Sequence, residues 1–143
     1  MSYQFEQHRI TGGIGADDGY WAGLEEGEFR LPRCPACRTW RWPAHFRCAE
    51  CGGWDQEWVA VEPTGVVYSW TRTHLAFDRT TERAPDVPYT VVLTEIPHAG
   101  GARVLGVLAG ANPPRIGAPV RGHIDPPSDK SMGYPAIRWE VLA

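Results

Sequence analysis

All four cysteines of this chain stand in one short stretch, CPACRTWRWPAHFRCAEC, residues 34–51. The spacing is Cys34-x-x-Cys37, ten intervening residues, then Cys48-x-x-Cys51. Each C-x-x-C makes a tight knuckle that presents two sulfurs to one side. Two facing knuckles form a four-thiolate tetrahedron, the arrangement that structural zinc prefers. Four protein sulfurs leave no open position, so a metal on Cys34, Cys37, Cys48 and Cys51 serves structure and not catalysis. Mononuclear iron takes the same ligands, and zinc is preferred on general grounds. Two disulfides conflict with a reducing compartment, and a redox C-x-x-C belongs beside a βαβ pattern that is absent here. His45, between the knuckles, reads as a surface or packing residue. Gly52 and Gly53 let backbone N–H groups turn toward a thiolate. Arg38 holds the matching place after Cys37, where a positive φ costs an arginine roughly 1–2 kcal/mol.

The reducing compartment is itself an inference. The first 21 residues, MSYQFEQHRITGGIGADDGYW, hold no apolar signal core. No uninterrupted apolar stretch approaches the roughly 20 residues that cross a bilayer. A cytoplasmic protein is expected. Its 143 residues suit one compact domain or a small module joined to one, and 43% hydrophobic residues supply a core. A net charge of −3 argues against a general nucleic-acid binder. That charge is uneven. Arg30, Arg33, Arg38, Arg41 and Arg47 fall between Phe29 and Ala49 with no acid among them, and Lys130 is the only lysine. Positive charge here is therefore guanidinium, which grips carboxylates and phosphates two bonds at a time.

Around the cysteine segment the pattern changes twice. Before it, DDGYWAGLEEGEF (17–29) reads as a short helix, capped by Asp17 or Asp18 and ended by Gly27, with Tyr20, Trp21 and Leu24 on one face. After it come five strand candidates at 65–77, 89–96, 102–110, 118–124 and 136–142, rich in Val, Leu and Ile and parted by Pro and Gly. In the first, Val67, Ser69 and Thr71 alternate with Val66, Tyr68 and Trp70. The segment PHAGG (97–101) is a hairpin-like connection. The chain is thus mainly β, and five strands without a comparable helix fit a small Greek-key barrel of the OB type, with an open sandwich as the competing reading. Two long connections, 78–88 and 125–135, occupy the places of the loops that flank the binding face in such barrels. The lead, residues 1–16, is weakened by Gly12, Gly13 and Gly15 and is expected to be flexible or partner-dependent.

A catalytic set is hard to find. The histidines are scattered at positions 8, 45, 74, 98 and 123. His74, near Asp78, Glu82 and Asp86, is best read as a half-exposed strand histidine. There is no G-x-S-x-G, no phosphate-cradling glycine loop and no cysteine outside the cluster.

Taken in order, YWAGLEEGEFRLPRC, CPAC and CAEC, PTGVVYSWT, VPYTVVLTEI and RIGAPVRG resemble a family of acyl-CoA-associated proteins. Its members carry an N-terminal helix, a rubredoxin-like zinc ribbon and a C-terminal OB-fold, and are encoded beside thiolase-like enzymes. The resemblance runs from about Asp17 to the end. It implies three parts: a lead and short helix (1–28), a zinc ribbon (29–57) and a five-stranded OB barrel (58–143). It also implies a non-catalytic accessory subunit in a hetero-oligomer with a thiolase or a thiolase-like retro-aldolase acting on CoA thioesters. Steroid side-chain, aromatic and fatty-acid breakdown are the settings implied. Arg38 where the family has glycine, and Ala118 where it often has methionine, are the departures.

The ribbon arginines then acquire a reading. Arg33, Arg38, Arg41 and Arg47 would contact the phosphates of CoA or an acidic patch of the partner, with Trp40 and Trp42 offering ring faces to adenine. The same arginines could instead form a solvated face, their stems covering tryptophan. The competing function is a single-stranded nucleic-acid module, since ribbons and OB barrels both occur in such proteins. From Gly52 to Ala143 there are eight basic and ten acidic residues, a net of −2, the wrong sign for that ligand.

Overall fold

The computed structural model describes residues 15–143. Most of the expected lead, residues 1–14 with His8, lies outside the described residues. The elements are α1 (Asp18–Glu25), β1 (Arg30–Arg33), β2 (Glu57–Ala60), β3 (Thr64–Thr73), β4 (Tyr89–Ile96), β5 (Ala102–Ala109), β6 (Pro119–Asp125) and β7 (Ala136–Val141). Strands β1 and β2 pair antiparallel and carry the cysteine segment between them. Strands β3 to β7 close into a barrel in the order β3-β4-β5-β7-β6. All of its pairings are antiparallel except β5 with β7. Among the described residues this is a mainly β chain with one short helix and a five-stranded OB-type barrel, as the sequence predicts.

Period-two patterning places the barrel core. Thr90, Val92, Thr94 and Ile96 of β4 point inward, as do Ile137, Trp139 and Val141 of β7. Trp139 fills the centre, fully buried, with its indole N–H donating to the Val104 carbonyl at 3.1 Å. It fits because Gly106 and Gly122 flank it. A Cβ at either place would come within 3 Å of the ring.

Helix α1 begins differently from the expectation. Asp17 precedes the first turn, but its carboxylate accepts from the Trp21 indole N–H at 3.0 Å instead of capping the backbone. The helix ends at Gly27 as expected, where φ is +80°. Its buried face, Tyr20 and Leu24, docks both modules. The Tyr20 ring lies 4.6 Å from Trp42 of the cysteine segment and 6.2 Å from Phe29, and Phe29 meets Trp139 edge-on at 5.8 Å. One run of ring contacts thus joins ribbon, helix and barrel.

Strand β3 departs from its expected alternation. A bulge between Val67 and Ser69 shifts the register against β4. Strand β6 pairs with β3 only over Thr64–Val66, so the rest of β3 has β4 as its sole strand neighbour. Residues 68–72 are exposed on both faces. The long connections also take shape. Residues 78–86 and 129–131 form 3-10 turns, tied together by Lys130 and Asp86 at 2.7 Å.

Trp139→Ala removes the largest buried side chain and leaves a cavity between two glycines that cannot fill it. The expected loss is about 3–5 kcal/mol of unfolding free energy, read from urea denaturation followed by tryptophan-independent circular dichroism.

Candidate metal centre

The two knuckles are built alike. Cys34 N–H donates to Thr39 O at 2.8 Å and Arg38 N–H to Cys34 O at 2.8 Å. In the second, Cys48 N–H donates to Gly53 O at 2.8 Å and Gly52 N–H to Cys48 O at 2.9 Å. The fourth residue after the leading cysteine is left-handed in both, Gly52 at φ +77° and Arg38 at φ +69°. The sequence argument identifies that strained position, and the structure places an arginine in it.

The knuckles face each other and bring Cys34, Cys37, Cys48 and Cys51 together. Cys34 Sγ lies 3.6 Å from Cys51 Sγ and Cys37 Sγ lies 3.5 Å from Cys48 Sγ. All four sulfurs fall within 4.8 Å of one another. Four sulfurs at about 2.3 Å from a central ion would stand about 3.8 Å apart, so the donor set and its spacing fit a tetrahedral tetrathiolate centre. Cys34 and Cys48 are buried, while Cys37 and Cys51 reach the surface.

Without a cation to share, these sulfurs compete for charge. Side-chain and backbone hydrogen bonds at Thr39 hold Cys37 down to about 6. Backbone hydrogen bonds at Cys37 and Ala36 lower Cys34 against the cost of burial. At Cys51 the Gly53 N–H favours the thiolate, but Cys37 and Cys34 prevail and push the thiol up to about 11. At neutral pH such a cluster holds thiolate and thiol together, and a bound divalent ion must expel the remaining protons.

The arginines divide. Arg33 Nε meets Glu57 Oε1 at 2.7 Å and its guanidinium lies 5.1 Å from the Trp40 ring centre. Arg38 is 63% exposed and reaches the same Glu57 oxygen at 3.5 Å. Arg47 is exposed, donates to Gly52 O at 3.3 Å and lies over the exposed Trp54 ring at 5.5 Å. Arg41 is different. It is only 2% exposed and its guanidinium is spent on backbone carbonyls inside the ribbon. Burial takes Arg41 out of reach of CoA or a partner, a correction to the reading of all four as a contact face. Trp42 packs on Tyr20, and Trp40 lines a groove with Pro43 and the 99–103 turn.

Two features escape sequence reasoning. Glu57 serves two of the arginines, from a strand whose register the sequence does not reveal. Tyr68, Trp70, Leu75 and Phe77 form an exposed apolar ridge along and beyond the free edge of β3, Leu75 at 61% and Phe77 at 64%. The signal was present in GVVYSWTRTHLAF, where aromatic and apolar residues continue past the point at which alternation fails. His74 and His98 are exposed on different connections, and no acid among the described residues pairs with either side chain; His98 instead meets the Glu62 carbonyl at 2.8 Å. Between the two long loops a cleft of about 390 Å³ is lined by Arg83, Tyr89, Val107, Leu108, Lys130 and Arg138. Lys130 is paired with Asp86 and Arg138 with Asp125.

Comparison with known proteins follows the same two parts. Residues 21–55 match the family "ChsH2, rubredoxin-like zinc ribbon domain" and residues 58–125 match "ChsH2, C-terminal OB-fold domain". A curated relative from Thermomonospora curvata, described as "Probable enoyl-CoA hydratase alpha subunit", is 33% identical over 75% of this chain. The chain spans about a third of that relative's length, 33%. Among solved structures, the "Ltp2-ChsH2(DUF35) aldolase" superposes with a TM-score of 0.73 at 25% identity, covering 90% of this chain and 95% of that one. A DUF35-family protein of unknown function from Sulfolobus solfataricus shares the fold, with a TM-score of 0.59 at 20% identity over 96% of this chain and 93% of that one.

Zinc binding at neutral pH is expected to release at least one proton per site and to weaken as pH falls, because Cys51 must give up its proton. Titration calorimetry in buffers of different ionisation enthalpy reads this directly. Cys34→Ser is expected to lose stoichiometric zinc and amide protection in the ribbon while barrel amides stay protected, as read by metal analysis and hydrogen exchange.

Proposed function

Because the chain belongs to the ChsH2-type family of zinc-ribbon and OB-fold proteins, we propose that it is a non-catalytic accessory subunit. It docks on a thiolase-fold enzyme, a thiolase or a retro-aldolase, that acts on acyl-CoA substrates in steroid, aromatic or fatty-acid breakdown. A zinc ion on Cys34, Cys37, Cys48 and Cys51 gives the ribbon its shape. Thiols used as ligands suit the reducing cytoplasm, and no helix among the described residues is long and apolar enough to cross a membrane.

The observation that carries the reading is the ridge on β3. A closed barrel removes its own edges, yet this one leaves the far half of β3 open, with Tyr68 and Trp70 along it and Leu75 and Phe77 just beyond its end. Arg72 is the one charged residue from Tyr68 to Phe77. An apolar strand edge of this kind suits a protein partner, which supplies both apolar surface and backbone hydrogen bonds. Single-stranded nucleic acid would want unpaired cations in the cleft between the two long loops, and two of the three cations lining it, Lys130 and Arg138, are neutralised there. The name of the 25%-identical structure, an aldolase of two components, supports the same kind of assembly.

For the acyl-CoA, Arg38 and Arg47 are the available contacts. Both are exposed, and Trp54 beside Arg47 offers a free ring face to adenine. Arg33 is held by Glu57 and Trp40, and Arg41 is buried away from any such ligand.

Co-expression with a thiolase-fold protein from the same genome should give one complex on size exclusion, and acyl-CoA turnover only when both chains are present. Trp70→Lys with Phe77→Lys is expected to abolish that complex while zinc content and melting of the isolated chain stay unchanged. Turnover by this chain alone, or an unimpaired complex in the double variant, overturns the proposal.

A further inference from the structure

Arg41 is a buried cation without an anion. It is 2% exposed, none of the ion pairs among the described residues includes it, and its Nε has no hydrogen-bond partner. A guanidinium in that condition costs free energy unless something near it carries compensating negative charge.

Its contacts say where that charge lies. Nη1 donates to Phe46 O at 3.1 Å and approaches Gly53 O at 3.5 Å, and Nη2 donates to Asp55 O at 2.9 Å. Phe46 lies just before the second knuckle, and Gly53 and Asp55 lie just after it. Gly53 O also receives the Cys48 N–H, and a Cβ on Gly53 would stand 3.4 Å from Cys51 Sγ and 3.8 Å from Cys34 Sγ. The Arg41 backbone is tied to the other side, its N–H donating to Pro32 O at 2.9 Å on the strand that enters the first knuckle. One residue therefore bolts both arms of the second knuckle to the base of the first. A divalent ion on four thiolates leaves a doubly negative centre next to this bolt.

We infer that Arg41 is a positioning residue for the metal, holding the knuckles at ligand distance and balancing the charge of the tetrathiolate. This rests on the metal reading of the four cysteines and not on any partner. Outer residues that orient metal ligands typically contribute 10–100-fold in affinity.

The test uses the full chain and zinc in competition with a chromophoric chelator, with cobalt(II) as a spectroscopic reporter. Arg41→Met, near in volume and uncharged, is expected to weaken zinc binding 10–100-fold and to shift the cobalt–thiolate charge-transfer bands, while urea unfolding of the barrel is unchanged. Arg41→Lys, which keeps the charge and loses the fork, should recover part of the affinity. Zinc affinity in Arg41→Met within twofold of the native chain overturns the inference. A lysine variant as weak as the methionine one overturns the charge assignment. A further measurement needs no substitution: the Arg41 Nη protons should exchange slowly in the zinc-loaded native chain and fast after chelation. Equal exchange in both states overturns the inference as well. Should the native chain bind no zinc at all, the metal reading itself has failed, and the two failures are distinguishable.

Discussion

Four sulfurs gathered within 4.8 Å are the constraint on which the rest depends. The segment between β1 and β2 has little core of its own. Its buried side chains are two cysteines and an arginine, and Trp40 and Trp42 face outward to other parts of the molecule. Four knuckle hydrogen bonds, at about 0.5–1.5 kcal/mol each, are too few to hold so many residues against chain entropy. A tetrathiolate ion contributes on the order of 10 kcal/mol, enough to make the ribbon one rigid body. Only a rigid ribbon can present Trp40 and Trp42 at fixed places on its rim.

Those two tryptophans convert ribbon order into domain order. Trp42 meets Tyr20 of α1, Tyr20 meets Phe29, and Phe29 meets Trp139 at the centre of the barrel. Each ring pair adds about 0.5–1.5 kcal/mol beyond the area it buries. The helix is too short to persist alone. It exists because its aromatic face is gripped from two sides, and it in turn fixes the ribbon against the barrel.

Much of this was legible in the residues. The strands β4 and β7 announce themselves by strict alternation, since each has one wall in the core and one in solvent. The paired cysteines announce the ribbon, because little else requires that spacing. What was hidden follows from what period and composition cannot carry. Strand β3 alternates in sequence, but a bulge at Tyr68 and the early loss of β6 as neighbour turn its far half outward on both faces. Asp17 has the chemistry of a helix cap and is diverted to an indole four residues on, a local competition that only coordinates resolve. Arg41 reads as surface by default, since arginine is rarely buried. The flanking WRW was a hint that its stem is enclosed, but its carbonyl acceptors come from three separate positions that no spacing rule connects.

The two modules then combine on one side of the molecule. Trp40 of the ribbon shares its groove with Arg103, and the Arg103 guanidinium lies 3.8 Å from the Tyr68 ring centre at the start of the open part of β3. The exposed Leu105 stands on the same strand as Arg103. A path of contacts therefore runs from the metal-ordered ribbon, across the β4–β5 turn, to the apolar ridge. On the proposed function, this adjacency would couple metal binding to partner docking: if the ribbon loosens, Trp40 loses its fixed place against the turn, Arg103 loses one wall of its setting, and the edge of the ridge loses definition. An ion with no open coordination position would in this way govern an interface that it never touches.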